Sequence, residues 1–161
     1  MDVLRRRVWW YLVALSLVIA LFGIGDVVGG INVDPGITTG LSGLTLAELR
    51  AESVAGYRLY DFATRAQGWV LVIVGVLMTV ILVVPYRAGM RWAWYAMWTL
   101  PAWAFGVLGL YLAFGVDSRQ PPPPPMVSGP LLGGFAVAVL LLERRRFFRG
   151  QNEVKSHLEA T

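Results

Sequence analysis

The chain has 161 residues, 57% of them hydrophobic, and a formal net charge of +4 at pH 7. A mean hydropathy of +0.60 is too apolar for an ordinary soluble domain, and the length allows only one domain. Cysteine is absent, which excludes disulfides, thiol nucleophiles and thiolate metal sites. The one histidine, His157, lies in a polar tail over residues 150–161, so bis-histidine haem ligation within one chain is excluded and no metal or cofactor is expected.

A helix that crosses a hydrocarbon core about 30 Å thick needs roughly 20 mostly apolar residues. Four stretches meet or approach that length: residues 8–28, 68–84, 92–114 and 127–142. The fourth is short, but Glu143, Arg144, Arg145 and Arg146 can snorkel, and Phe147 and Phe148 suit the interface. The first follows Arg5, Arg6 and Arg7 as a signal peptide would. Its apolar run exceeds the usual h-region, however, and no A-x-A site follows, so a retained helix is expected.

The chain starts with a basic segment, then Trp9, Trp10 and Tyr11, the composition of half an aromatic belt. The first helix ends among glycines over residues 23–30, with Asp26 inside that run. Residues 32–64 form the longest connection. It opens with turn residues, Asp34, Pro35, Gly36, Gly40, Ser42 and Gly43. Thr45 and Glu48 then make a capping box, which predicts a short amphipathic helix carrying Leu46, Leu49 and Val54 on one side and broken by Gly56.

Residues 85–91, Pro-Tyr-Arg-Ala-Gly-Met-Arg, form a tight turn that sets the second and third helices side by side and antiparallel. The third helix carries Trp92, Trp94, Tyr95, Trp98 and Trp103, with Pro101 near its middle. Belt placement accounts for the first four. Trp103 lies near mid-bilayer and needs a partner for its indole N–H, such as a carbonyl or Thr79. Pro101 frees the carbonyl of residue 97, and a kink there would make room beside Trp98 and Trp103 for an apolar ligand. Five consecutive prolines, residues 121–125, predict a stiff polyproline strut before the fourth helix, with recognition by a proline-binding module the lesser alternative. Small residues suggest helix contacts at Gly25/Gly29, Gly75/Thr79, Ala102/Gly106 and Gly129/Gly133.

The expected fold is therefore all-α: an integral membrane four-helix bundle, up-down-up-down, with a short amphipathic helix in the outer first loop. Residues 1–150 form the single domain and 151–161 its tail. Orientation follows the basic flanks. Arg5, Arg6, Arg7, Arg87, Arg91, Arg144, Arg145, Arg146, Arg149 and Lys155 fall on one side, and only Arg50, Arg58, Arg65 and Arg119 on the other. This puts both termini in the cytoplasm, most simply of a bacterial inner membrane, since the basic residues are almost all arginine. The basic pI of about 9.9 then reports topology and lipid headgroups, not nucleic acid.

Charges at membrane depth mark candidate sites. Asp26 at the outer end of the first helix, with Asp61 and Arg65 spaced i,i+4 near the start of the second, can form one polar cluster beside Tyr57, Tyr60 and Gln67. The ligand-binding candidates are Asp26, Tyr60, Asp61, Arg65, Trp98 and Trp103. An interfacial salt bridge plus an aspartate at a helix end explains the same residues more economically, because charges cost least at helix ends. No phosphate-binding glycine loop, G-x-S-x-G elbow or H-E-x-x-H helix is present.

The run from Pro85 to Tyr95, PYRAGMRWAWY, resembles the second-to-third-helix turn of small four-helix bacterial membrane proteins. The whole layout, with its long outer first loop, is similar to DoxX-like and EXPERA-type bundles. The EXPERA likeness implies a membrane cavity for sterol-like molecules near acidic side chains. Three classes of function stay open. One is a non-catalytic membrane protein that binds a lipid or apolar small molecule or serves as an accessory subunit of another membrane protein. The second is an isomerase-like enzyme using outer-side carboxylates. The third is a small transporter or channel subunit acting as a homo-oligomer.

Overall fold

A computed structural model of the chain describes residues 8–115 and 124–158, with side chains for 8–115 and 126–148. All regular structure among the described residues is helical: α1 (Trp9–Gly29), α2 (Pro35–Ser42), α3 (Leu46–Glu52), α4 (Val54–Ile81), α5 (Arg91–Met97), α6 (Thr99–Ala113) and α7 (Pro124–Leu158). A 3-10 turn, Gly30–Asn32, extends α1, and a π-helical turn, Leu82–Tyr86, extends α4. Among the described residues four segments are long and apolar enough to cross a membrane: Trp9–Asn32, Val54–Tyr86, Arg91–Ala113 and Met126–Phe148. The side chains of Arg5, Arg119, Arg149, Lys155 and His157, and residues 121–123 of the proline run, lie outside the described residues.

The second helix starts well before residue 68. Ser53 ends α3 and caps α4, its Oγ accepting the Gly56 amide at 3.0 Å, so Gly56 lies inside α4 and breaks nothing. The resulting span of 33 residues is about 50 Å long, well beyond a hydrocarbon core. The capping box forms as expected: Thr45 Oγ1 accepts from the Glu48 amide, and Glu48 Oε2 accepts from the Thr45 amide at 2.7 Å. The turn-rich stretch before it is itself a helix, α2. Pro35 sits in its first turn, and Gly43 at φ 72° ends it by donating to Thr39 O.

Proline chemistry shapes the rest. Pro85 has no N–H to donate, and the backbone widens around it: the Arg87 amide reaches Leu82 O and the Met90 amide reaches Pro85 O, both five residues back. The third span breaks at Trp98, three residues before Pro101, as the clash with the carbonyl of residue 97 requires. Pro124 and Pro125, the last two of the proline run, belong to the first turn of α7 instead of a strut, because an N-terminal turn needs no donor there.

Helices this apolar on every side gain cohesion mainly from close packing and interhelical hydrogen bonds. The α1–α4 pair meets through glycine. A Cβ on Gly23 would lie 2.5 Å from Gly68 O, one on Gly68 would lie 2.6 Å from Asp26 Cβ, and one on Gly75 would lie 2.7 Å from Ser16 O. Ser16 Oγ and Thr79 Oγ1 share a hydrogen bond of 2.9 Å across the same seam. Of the anticipated small-residue contacts, Gly75/Thr79 and Gly133, close to Ala104, sit at interfaces. Gly25 and Gly106 face open space.

The α6–α7 pair joins the first at the arginine-rich end, hereafter the basic end. There Leu12, Leu82, Tyr86, Met97 and Leu140 are fully buried in one core. Two aromatic residues expected in the interfacial belt, Trp94 and Trp9, lie in the core instead. Trp94 is buried and its Nε1 donates to Leu140 O at 2.9 Å, so it fastens α5 to α7. Trp9 is also buried in the core, while Trp10, Trp92 and Tyr95 stay exposed. Glu143 does not snorkel: it and Phe147 are 5% and 4% exposed and face inward against Tyr86. Beyond Ala104 no residue of α6 is buried. The pairs pack tightly at the basic end and leave space between them towards the other.

Candidate functional site

That space is a cavity of about 170 Å³. Leu15, Ile19, Phe22 and Asp26 of α1 form one wall, with Gln67 and Leu71 of α4 beside them. Leu100, Trp103, Ala104, Val107 and Tyr111 of α6 face them, and Gly129, Leu132 and Gly133 of α7 complete the far wall. Val33, Asp34 and Ile37 reach in from the start of α2, at the end opposite the basic end. The walls follow from helical spacing. Trp103, Val107 and Tyr111 recur every four residues on one face of α6, and Leu15, Ile19, Phe22 and Asp26 on one face of α1.

The polar groups gather at one end of an otherwise apolar chamber. Asp26 and Asp34 lie within electrostatic reach of each other, and the hydroxyls of Tyr60 and Tyr111 sense both. Burial pushes the Asp34 carboxyl above its usual range, and the neighbouring amides of Gly36 and Ile37 offset this only in part. Arginine, lysine and histidine are absent from the described lining. Such a patch accepts hydrogen bonds from a ligand's hydroxyl or amine, while the rest of the chamber accepts only apolar surface.

The six candidate residues separate into three groups. Asp26 and Trp103 line the cavity. Tyr60 is outside the lining but within electrostatic reach of Asp26 and Asp34, its hydroxyl beside Thr38. Trp98 stands outside the lining, in an aromatic cluster 5.6 Å from Trp94.

Asp61 and Arg65 also stand outside the lining, in a structural clamp. Arg65 Nε binds Asp61 Oδ2 at 2.9 Å, its Nη1 donates to Val27 O and Val28 O at 2.6 and 3.0 Å, and Asp61 Oδ1 accepts the Ile31 amide at 3.0 Å. The pair thus takes up the carbonyls of Val27 and Val28 at the end of α1 and the Ile31 amide of the turn beyond. Gly30, at φ 58°, is required where they meet, because a Cβ there would strike Asp61 Oδ1. Thr79, a suggested partner for Trp103, is engaged with Gly75 O and Ser16.

Asp34 and Tyr111 also line the cavity, and neither is among the candidates the sequence pattern singles out. Asp34 reads as a turn residue before proline, and its inward position depends on the start of α2 folding against the cavity. The four-residue stripe on α6 was the available signal for Tyr111. Among the described residues no three His, Asp or Glu side chains converge to hold a metal. Comparisons with protein-family models, curated proteins and solved structures find no match to this chain.

Proposed function

We propose that the protein is a non-catalytic multi-pass protein of a bacterial inner membrane that holds a lipid chain or an apolar small molecule in this cavity. In this reading one four-helix unit runs up-down-up-down, with both termini in the cytoplasm and the polar patch towards the outer leaflet. The observation that carries it is the chamber itself: apolar walls drawn from four membrane-length helices, with acceptors confined to one end. Its volume slightly exceeds the ~150 Å³ that suffices for benzene, which suits a ring system or one hydrocarbon chain and excludes an entire two-chain phospholipid. The outward faces agree with a bilayer. Trp69, Ile73, Val76, Leu77 and Val80 of α4 are each more than half exposed, and water would penalise so continuous an apolar stripe.

Native mass spectrometry of protein extracted gently from its own membrane tests the proposal. A bound mass that persists in wild type and disappears in Val107→Trp, which fills the chamber, supports it. A bare chain, or one bound only to another protein, overturns it in favour of an accessory subunit. The pairing of Asp26 with Asp34 and two tyrosines beside an apolar chamber also favours a second reading, proton transfer on an apolar substrate. That reading requires Asp26→Asn to abolish turnover of the retained molecule while the fold is kept.

A further inference from the structure

The basic end carries a second feature, independent of the cavity. Arg91 of α5 donates from Nε to Phe147 O at 3.2 Å, with its guanidinium 5.7 Å from the Phe148 ring. Arg146 of α7 donates from Nη2 to Arg87 O, with its guanidinium 5.7 Å from the Phe147 ring. These contacts tie the turn after α4 to α7 and set the two guanidinium planes at that seam. Each spends one of its five N–H donors on a carbonyl. Arg87 stands exposed beside them, and Arg144 and Arg145 extend the positive surface along α7.

Among the described residues, the segments that carry these charges hold almost no acidic side chains. Between Leu82 and Ala113 there is no acidic residue, and between Met126 and Phe148 there is only Glu143. Glu143 is 5% exposed, turned inward towards Tyr86 and within electrostatic reach of Arg146, which leaves Arg87 and Arg91 without a carboxylate partner among the described residues. An ordinary charged surface intersperses both signs. Here the cations are concentrated, two of them held in place by carbonyls, next to exposed Trp92 and Tyr95 at 54% and 59%. Fixed guanidinium forks match phosphate oxygens, and fixing them beforehand removes part of the entropy cost of binding. The exposed rings offer an apolar rim at headgroup level.

We infer that Arg87, Arg91 and Arg146 form a seat for the phosphodiester headgroup of an anionic phospholipid. The seat is specific to the seam between the α4–α5 turn and α7, and differs from the general attraction of any basic surface to a negative leaflet. Its occupant bridges the two helix pairs where their core is tightest, and so fastens the closed end of the bundle.

The test uses the full chain, delipidated in neutral detergent and titrated with phosphatidylglycerol, phosphatidylcholine or inorganic phosphate under native mass spectrometry. The expected result is one retained phosphatidylglycerol, bound about tenfold or more tightly than phosphatidylcholine. Arg87→Gln leaves its backbone carbonyl in place and should weaken that binding about fivefold, the worth of one cation at a lipid surface. Arg145→Gln makes the same charge change away from the seam and should leave it nearly unaltered. Arg87→Lys, which restores the charge, separates loss of the seat from loss of fold. Equal binding of the two lipids overturns the inference. So does equal loss in Arg87→Gln and Arg145→Gln, which means a diffuse field, or displacement of the lipid by millimolar phosphate, which means a free-anion site.

Discussion

Adding one methyl group at Gly68 probes the α1–α4 seam directly. A Cβ there meets Asp26 Cβ, Gly23 O and the Val27 amide nitrogen at 2.6, 2.7 and 2.8 Å. Ordinary contacts begin near 3.5 Å, so about 0.8 Å is missing and rigid backbone supplies two of the three obstacles. The helices must move apart, and overpacking of this kind costs about 1–3 kcal/mol. Against it stands the better helix propensity of alanine, worth about 1 kcal/mol. Gly25→Ala, on the same seam's helix but facing open space, gains that propensity without the clash. The difference between the two variants therefore isolates packing: Gly68→Ala should be less stable than Gly25→Ala by about 1–3 kcal/mol. Unfolding by dodecyl sulfate in mild micelles, followed by tryptophan fluorescence, measures both. Gly23→Ala intrudes on the same gap, with Gly68 O 2.5 Å away, so the double variant should cost less than the sum of the singles. The reasoning is refuted if Gly68→Ala and Gly25→Ala agree within about 0.5 kcal/mol.

Arg65→Gln removes the donor shared by Val27 O, Val28 O and Asp61, and should cost about 1 kcal/mol given its partial exposure. Hydrogen exchange of the Ile31 amide should quicken in that variant, and unchanged protection would show that the clamp holds nothing. Trp94→Phe keeps the ring but loses the bond to Leu140 O, and should destabilise by about 1–2 kcal/mol in the same unfolding assay. Two carboxyls predict opposite pH responses. Asp34 is raised above its ordinary 3.8 by burial, so the folded protein binds that proton more tightly than the unfolded chain. Its contribution to stability grows as pH falls through the raised value and levels off below about 3.9, a rise that Asp34→Asn abolishes. Glu48 is held below its ordinary 4.5 by the Thr45 amide and hydroxyl. Its contribution is complete above that value and is lost as pH falls through the lowered one, a loss absent from Glu48→Gln; unfolding midpoints across pH 3–7 measure both.

Local chemistry was legible in the sequence wherever a few neighbouring residues decide the outcome. Four apolar runs specify four spans because length and hydropathy are additive along the chain. Thr45 and Glu48 specify the cap because both its bonds close within one turn. Asp61 and Arg65, four residues apart, specify an ion pair for the same reason. Boundaries were less legible. The start of α4 at Val54 depends on Ser53 capping it, and the sequence before residue 68 is too polar to announce a helix on its own.

Tertiary structure alone decided which groups meet. The clamp role of Arg65 depends on the carbonyls of Val27 and Val28, 38 and 37 residues away, arriving beside it. Trp94 became a core residue because α7 presents Leu140 O to its indole, whereas from sequence it was one more aromatic at a membrane end. Gly23 and Gly68 lie too close for a Cβ on either because two helix faces turn towards each other, and no property of either glycine encodes that rotation. The cavity has the same origin. Its walls come from five segments, and it exists because two well-packed pairs converge at one end and not at the other. Sequence specifies what each helix is, since that depends on neighbours along the chain. Where empty space remains depends on how the helices are placed against one another, and only the folded arrangement contains that.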